Sequence, residues 1–229
     1  MKKIFKGLLS VSAIVLLAGC TLPIGPKTRV NTKINTNGNN NPINKVVNPS
    51  DNIKSSAELA VNERLIVFIE NKNDFPVRMN VEVEFYDAEG KLVKSGKENF
   101  NGVRANGEIA FELYDTPEEF SDYKIFVDAE KEDLYFTFDK ELEMADNNTG
   151  EEVAVQVKNN SENKIDWITV SVVYYKEGKA VGISEGIESD IKPGRSANFN
   201  IGYAYDKEYD DIEFDDYKVF LNEAYTYED

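Results

Sequence analysis

Few side chains in this sequence could do covalent chemistry. Cys20 is the only cysteine, histidine is absent, and Asp and Glu outnumber Lys and Arg by 42 to 26. A serine or cysteine nucleophile needs a base beside it, and histidine is the commonest one. Gly182-Ile183-Ser184-Glu185-Gly186 fits the G-x-S-x-G spacing. That motif works at a strand-to-helix corner with a histidine partner, whereas this stretch reads as a hairpin strand. Ser121-Asp122-Tyr123-Lys124 and Ser189-Asp190-Ile191-Lys192 fit S-x-x-K. That pattern is productive where it opens a helix and a K-T-G element joins it; here both copies sit at strand edges and K-T-G is absent. Glycoside hydrolysis needs two carboxylates about 5–9.5 Å apart, one with a raised pKa. Sequence spacing does not supply that separation. Trp167, the single tryptophan, is expected to pack between sheets rather than to stack on a sugar. An enzyme acting on a wall substrate is therefore the least favoured function, and the chain is read as non-catalytic with no catalytic residues.

One acidic run does suggest a ligand. Asp206, Glu208, Asp210, Asp211, Glu213, Asp215 and Asp216 fall within eleven residues. Calcium takes about six to eight oxygens, which carboxylates on a loop can supply. The spacing is not that of an EF-hand. Asp206, Glu208, Asp210, Asp211 and Glu213 are the candidate metal ligands, calcium is the candidate ion, and a solvated acidic loop is the competing reading. No other cofactor is expected.

The thiol has a context of its own. Met1-Lys2-Lys3-Ile4-Phe5-Lys6 is basic, the run from Leu8 to Ala18 is apolar, and small residues follow. That is the order of a secretory signal. At eleven residues the run is too short for a membrane span, which needs about 17–25. Leu17-Ala18-Gly19-Cys20 resembles the lipobox of bacterial lipoproteins. The resemblance implies a signal peptide over 1–19, diacylation of the Cys20 sulfur with palmitate-type chains, and cleavage just before Cys20. It also implies a location on the extracytoplasmic face of a bacterial cell membrane, with the lipid bilayer as the first partner. Two acyl chains hold stably where one holds only reversibly.

Charge divides the chain. Residues 1–56 carry eight Lys/Arg and one acid, Asp51, a net of +7; the remaining 18 basic and 41 acidic side chains give residues 57–229 a net of −23. An acidic body does not bind nucleic acid through counterion release. It is repelled by anionic head groups and wall polyanions, and it is kept soluble. Residues 20–56 are expected to be the lipidated cysteine followed by a flexible tether over 21–56. Asn35-Thr36-Asn37-Gly38-Asn39-Asn40-Asn41-Pro42 has no apolar period, and Pro23, Pro26 and Pro49 interrupt it further. Its 36 residues could reach at most about 120 Å extended and about 35 Å on average as a coil.

Beyond the tether the chain repeats with a period near 88. Val67-Phe68-Ile69-Glu70-Asn71 matches Val155-Gln156-Val157-Lys158-Asn159, and Glu84-Phe85-Tyr86 matches Val173-Tyr174-Tyr175. Asp122-Tyr123-Lys124-Ile125-Phe126-Val127 matches Asp216-Tyr217-Lys218-Val219-Phe220-Leu221 at an offset of 94, so the second copy carries an insertion in the acidic stretch. Met79, Val81, Val83 and Phe85 alternate with polar residues, as do Ile168, Val170, Val172 and Tyr174, which is strand periodicity. Ala88-Glu89-Gly90, Glu177-Gly178, Asn106-Gly107 and Pro193-Gly194 mark turns. Leu134, Phe136 and Phe138 read as the first strand of the second copy. The fold expected is all-β, with two tandem β-sandwich domains over 57–131 and 132–229.

A strand closing on Phe-Tyr-Asp or Tyr-Tyr, a tight Gly-Lys turn, an earlier Val-x-Val-Lys-Asn-Asn and a later Pro-Gly resemble the FxLYD-type domain. Val81 to Asp87 and Ile168 to Tyr175 are the matching strands. The resemblance covers both copies and implies immunoglobulin-like sandwiches found on surface lipoproteins. It brings no catalytic residues. The expected function is a membrane-anchored envelope lipoprotein whose domains bind a protein or cell-wall partner, or act as spacers; the alternative is a calcium-dependent binding module using residues 206–216.

Overall fold

Alternation along the strands decides the core. In a computed structural model, described here for residues 48–227, Met79, Val81, Val83 and Phe85 point to one face of their strand and are buried. Among the described residues thirteen strands form. Those of the first half are β1 (Ile53–Leu59), β2 (Leu65–Asn71), β3 (Val77–Tyr86), β4 (Leu92–Val103), β5 (Glu108–Leu113) and β6 (Asp122–Lys131). Those of the second are β7 (Tyr135–Thr137), β8 (Leu142–Asn148), β9 (Glu152–Asn159), β10 (Ile165–Lys176), β11 (Lys179–Ile191), β12 (Ser196–Gly202) and β13 (Asp216–Tyr227). The only helical element described is a 3-10 turn over Pro49–Asn52. The chain is all-β, as its periodicity requires.

Four antiparallel sheets result, with strand orders β1-β2-β5, β4-β3-β6, β12-β9-β8 and β11-β10-β13-β7. The first two enclose one apolar core, with Val67, Ile69 and Phe111 facing Val81, Phe85 and Ile125. The last two enclose another, with Val155, Val157 and Phe199 facing Val170, Val172 and Leu221. The halves repeat strand for strand, β1 to β6 matching β8 to β13. The connection β12–β13 runs from Gly202 to Asp216 where β5–β6 runs only from Leu113 to Asp122, so the insertion lies in the acidic stretch. At Glu177-Gly178 both residues have positive φ, 52° and 75°. Lys176 and Lys179 pair directly across them, which is the two-residue I′ hairpin that suits strand twist.

Three details differ from expectation. Residues 53–56, expected in the tether, belong to β1 and pair with Phe68 to Asn71; their Ile53-Lys54-Ser55-Ser56 pattern is short but places Ile53 in the core. Trp167, expected between the sheets, is absent from both apolar cores and is half-buried. β10 pairs Ile165 with Ile191 and next Trp167 with Ser189, and Ile165 and Ile168 both face inward. The odd spacing leaves Trp167 on the outer face. Leu134 and Phe136 are exposed and only Phe138 enters the core, while β7 pairs with the end of β13.

Each half is tied by one buried asparagine at the end of its β2 or β9. The Asn71 amide donates to the carbonyls of Phe75, Val103 and Arg104 at 3.1, 3.2 and 2.8 Å, and its oxygen accepts from the Asn73 N–H at 3.0 Å. Asn159 donates to the carbonyls of Asn163 and Ile191 at 2.8 and 3.0 Å and accepts from the Ser161 N–H at 3.0 Å. Both side chains lie fully out of water, where unpaired carbonyls cost about 1–3 kcal/mol each. Asn71→Ala and Asn159→Ala are each expected to lower stability by about 3 kcal/mol, measured by urea unfolding of the non-lipidated chain. A loss no larger than that of exposed Asn147→Ala would show that the clamp is dispensable.

Candidate functional site

The most densely built region lies where the two sandwiches meet. β2 reads Leu65-Ile66-Val67-Phe68-Ile69, apolar on both faces, and both faces are covered. Val67 and Ile69 enter the first core; Ile66 and Phe68 face the second half. They meet Val173 of β10, Ile183 of β11 and Phe220 of β13, with Ala110 of β5 between them. The Phe68 and Phe220 ring centroids stand 6.0 Å apart in a tilted pair.

Polar groups fix the register of this contact. β13 shifts register against β10 between Thr169 and Val170, so that Asn222 is the unpaired bulge residue. Its amide nitrogen donates to the Ala110 carbonyl at 2.9 Å and to Ser171 Oγ at 2.6 Å, and its oxygen accepts from the Ala110 N–H at 3.1 Å. One side chain thus serves both backbone groups of a residue on an edge strand. Glu58 accepts from the Ala180 N–H at 2.8 Å, and Lys218 pairs with Glu108.

Carboxylates crowd the same junction. Glu223 accepts from the Asn101 N–H at 2.6 Å and from Thr169 Oγ1 at 3.1 Å, and the Trp167 indole also donates to it. Burial nevertheless pushes its carboxyl above the ordinary glutamate range. Glu185 is raised in the same way, first by burial and then by the charges of Glu112, Glu98 and Glu223; Ser171 Oγ, at 3.3 Å, opposes the rise. Glu112 is held by Arg64 Nη1 at 2.8 Å and Asn62 Nδ2 at 2.7 Å.

Beside the junction lies a hollow of about 390 Å³. Phe68, Phe220 and Tyr175 wall it, and Lys54, Ser56, Glu70, Glu108 and Lys218 ring its mouth. Burial pushes the Tyr175 phenol up to about 12, so the hydroxyl stays protonated as a donor. Lys54 is lowered, chiefly by the neighbouring Lys72 ammonium. Concave surfaces with apolar walls and a few fixed polar groups suit ligands and partner side chains.

Of the five expected metal ligands, the carboxylates of Asp206 and Glu213 are engaged with other groups. Asp206 Oδ1 accepts from the N–H groups of Glu208 and Asp210 at 2.9 and 3.0 Å, which folds the insertion into a local turn. Glu213 pairs with Lys176 at 2.6 Å, and Asp211 bridges Tyr205 through backbone. Among the described residues no three acidic, Cys or His groups converge as a metal site. Ser184 lies within strand β11, as read from the sequence. Cys20 and the segment before Asn48 lie outside the described residues. No helix among the described residues is long and apolar enough to cross a membrane.

The junction residues were missed at the level of sequence. A signal existed for the apolar part: five consecutive apolar residues in β2 imply burial on both faces. None existed for Asn222, whose role depends on a bulge. No known protein family and no curated protein matches the chain, so the FxLYD likeness rests on its strand motifs.

The raised carboxyls set a pH dependence. A carboxyl with a higher pKa in the folded state binds more protons there than in the unfolded chain. Its contribution is most favourable below the ordinary glutamate range and is lost as pH rises through the raised values. Melting temperature is expected to fall as pH rises above the ordinary glutamate range, and Glu185→Gln is expected to flatten that slope. A slope unchanged by both Glu185→Gln and Glu223→Gln would remove these groups as its cause.

Proposed function

We propose that the chain is a lipid-anchored lipoprotein of the extracytoplasmic face of a bacterial cell membrane. Its two sandwiches form one non-catalytic body that engages a protein or cell-wall partner or holds it off the surface. The observation that carries the anchoring is Leu17-Ala18-Gly19-Cys20 directly behind a basic and apolar segment. The joined body supports the rest of the reading. Tandem domains linked as beads would move independently, whereas an apolar junction with paired backbone groups holds the two halves at one angle. The hollow beside Phe68, Phe220 and Tyr175 is the surface we assign to the partner.

Anchoring is tested by metabolic labelling with radioactive palmitate. The native chain is expected to take up label and to run as the shorter, processed form. Cys20→Ala should stay unlabelled and unprocessed, and equal labelling of the two would overturn the anchor. Partner contact is tested with a photo-cross-linking residue in intact cells. Adducts are expected from exposed Ser56, at the hollow, and not from exposed Asn147 on the far sheet. Equal adducts from both positions would remove the hollow as the contact surface.

A further inference from the structure

The internal repeat allows one half to be compared with the other. On the outer face of β10 and β13, Ser171, Val173, Phe220 and Asn222 are covered by the first sandwich. The matching positions on β3 and β6 are Glu82, Glu84, Phe126 and Asp128, on the side opposite the core residues Val81, Val83, Ile125 and Val127. The hydrogen bonds, ion pairs and apolar cluster that join the halves come from β1, β2, β4, β5 and adjoining loops; none described involves β3 or β6. The first half therefore has a face of the same design, and the second half does not occupy it.

The route of the chain points to an occupant. Ser50 is buried against the edge of β6, its hydroxyl accepting from the Ala129 N–H at 2.9 Å and donating to the Ala129 carbonyl at 3.3 Å. Phe138, at the corresponding place in the second half, donates its N–H to the Ala224 carbonyl at 3.1 Å. Each half thus receives its incoming chain at the same edge. In the first half Asn48, two residues before that contact, lines a hollow of about 460 Å³ together with Glu82, Glu84, Lys97, Phe126 and Asp128. The chain enters at one end of the face itself.

Composition fits as well. Residues 21–47 hold Lys27, Arg29, Lys33 and Lys45 and no acid, while the hollow carries Glu82, Glu84 and Asp128 against Lys97. Ile34, Ile43, Val46 and Val47 supply apolar groups beside the last two lysines.

We propose that residues 33–47 lie back across the outer face of β3 and β6, with Lys33 and Lys45 over its carboxylates and the apolar residues near Phe126. This rests on the reading of the N-terminal segment as a tether. It gives that tether two lengths. Released, the 27 residues between Cys20 and Asn48 reach about 90 Å at most; docked, the 12 residues from Thr21 to Thr32 reach about 40 Å. Since surface ion pairs are weak and screened by salt, such docking is reversible.

The test uses the non-lipidated chain from residue 20 with Cys20→Ser and Asn39→Cys carrying a nitroxide, the native chain having no other thiol. Amide resonances of Glu82, Glu84 and Phe126 are expected to broaden several-fold more than those of β8 and β9. With Lys33→Glu and Lys45→Glu added, that excess should disappear. Even broadening over both halves, or an excess unchanged by the charge reversal, would overturn the proposal. So would broadening that appears only between a labelled chain and a separate isotope-enriched chain, since a second copy would then hold the face. None of these outcomes bears on palmitate labelling, so failure here leaves the anchor standing.

Discussion

A buried amide that must satisfy several carbonyls at once is the constraint on which each sandwich depends. Asn71 and Asn159 sit where one sheet hands the chain to the other. A tight turn there exposes backbone carbonyls to the core, and water does not reach them. The asparagine side chain supplies two donors and an acceptor in one plane, which spans the turn after β2 and the end of β4 together. Leucine would fill the space and leave the carbonyls unpaired. Aspartate would bring acceptors where donors are needed. The alternating apolar residues then follow, because the clamp fixes which face of β3 and β10 turns inward.

The same logic recurs at the junction, with a different device. Packing Ile66, Phe68, Val173 and Phe220 together supplies area but little register, since apolar contact is not directional. Asn222 supplies the register. A bulge in β13 turns it outward, and its amide pairs with Ala110 as a neighbouring strand would. Its counterpart in the first half is Asp128, which accepts but cannot donate when ionised. Ser171 and Val173 likewise have the acids Glu82 and Glu84 as counterparts, so the first half's face lacks the groups that make the contact in the second.

Much of the fold was legible in the sequence because periodicity and turn chemistry act locally. The two-fold strand period, the Glu177-Gly178 hairpin and the insertion before β13 all follow from neighbouring residues. The start of β1 was not legible: Lys54-Ser55-Ser56 is polar on the side away from the core, and one buried residue, Ile53, makes no pattern. Trp167 was misplaced because its bulk suggested a core position, whereas the alternation of Ile168, Val170, Val172 and Tyr174 puts the preceding residue on the other face. Closeness in sequence makes the acidic loop a candidate cation site but does not determine where each carboxylate points. In space Asp206 closes its own turn and Glu213 turns to Lys176.

The carboxylates that matter most physically are those the sequence disguised. Glu185 and Glu223 sit in ordinary polar alternation on β11 and β13, indistinguishable there from solvated acids. Although Glu185 keeps an exposed side chain while Glu223 is half-buried, the first sandwich crowds both and raises the cost of their charge. Glu223 recovers part of it through the Asn101 N–H and Thr169 Oγ1, whereas Glu185 has only the long contact from Ser171 and faces other carboxylates. A junction built for maximal stability would place an amide or an apolar group at Glu185. Retaining an acid there makes the stability of the junction depend on pH and ionic strength.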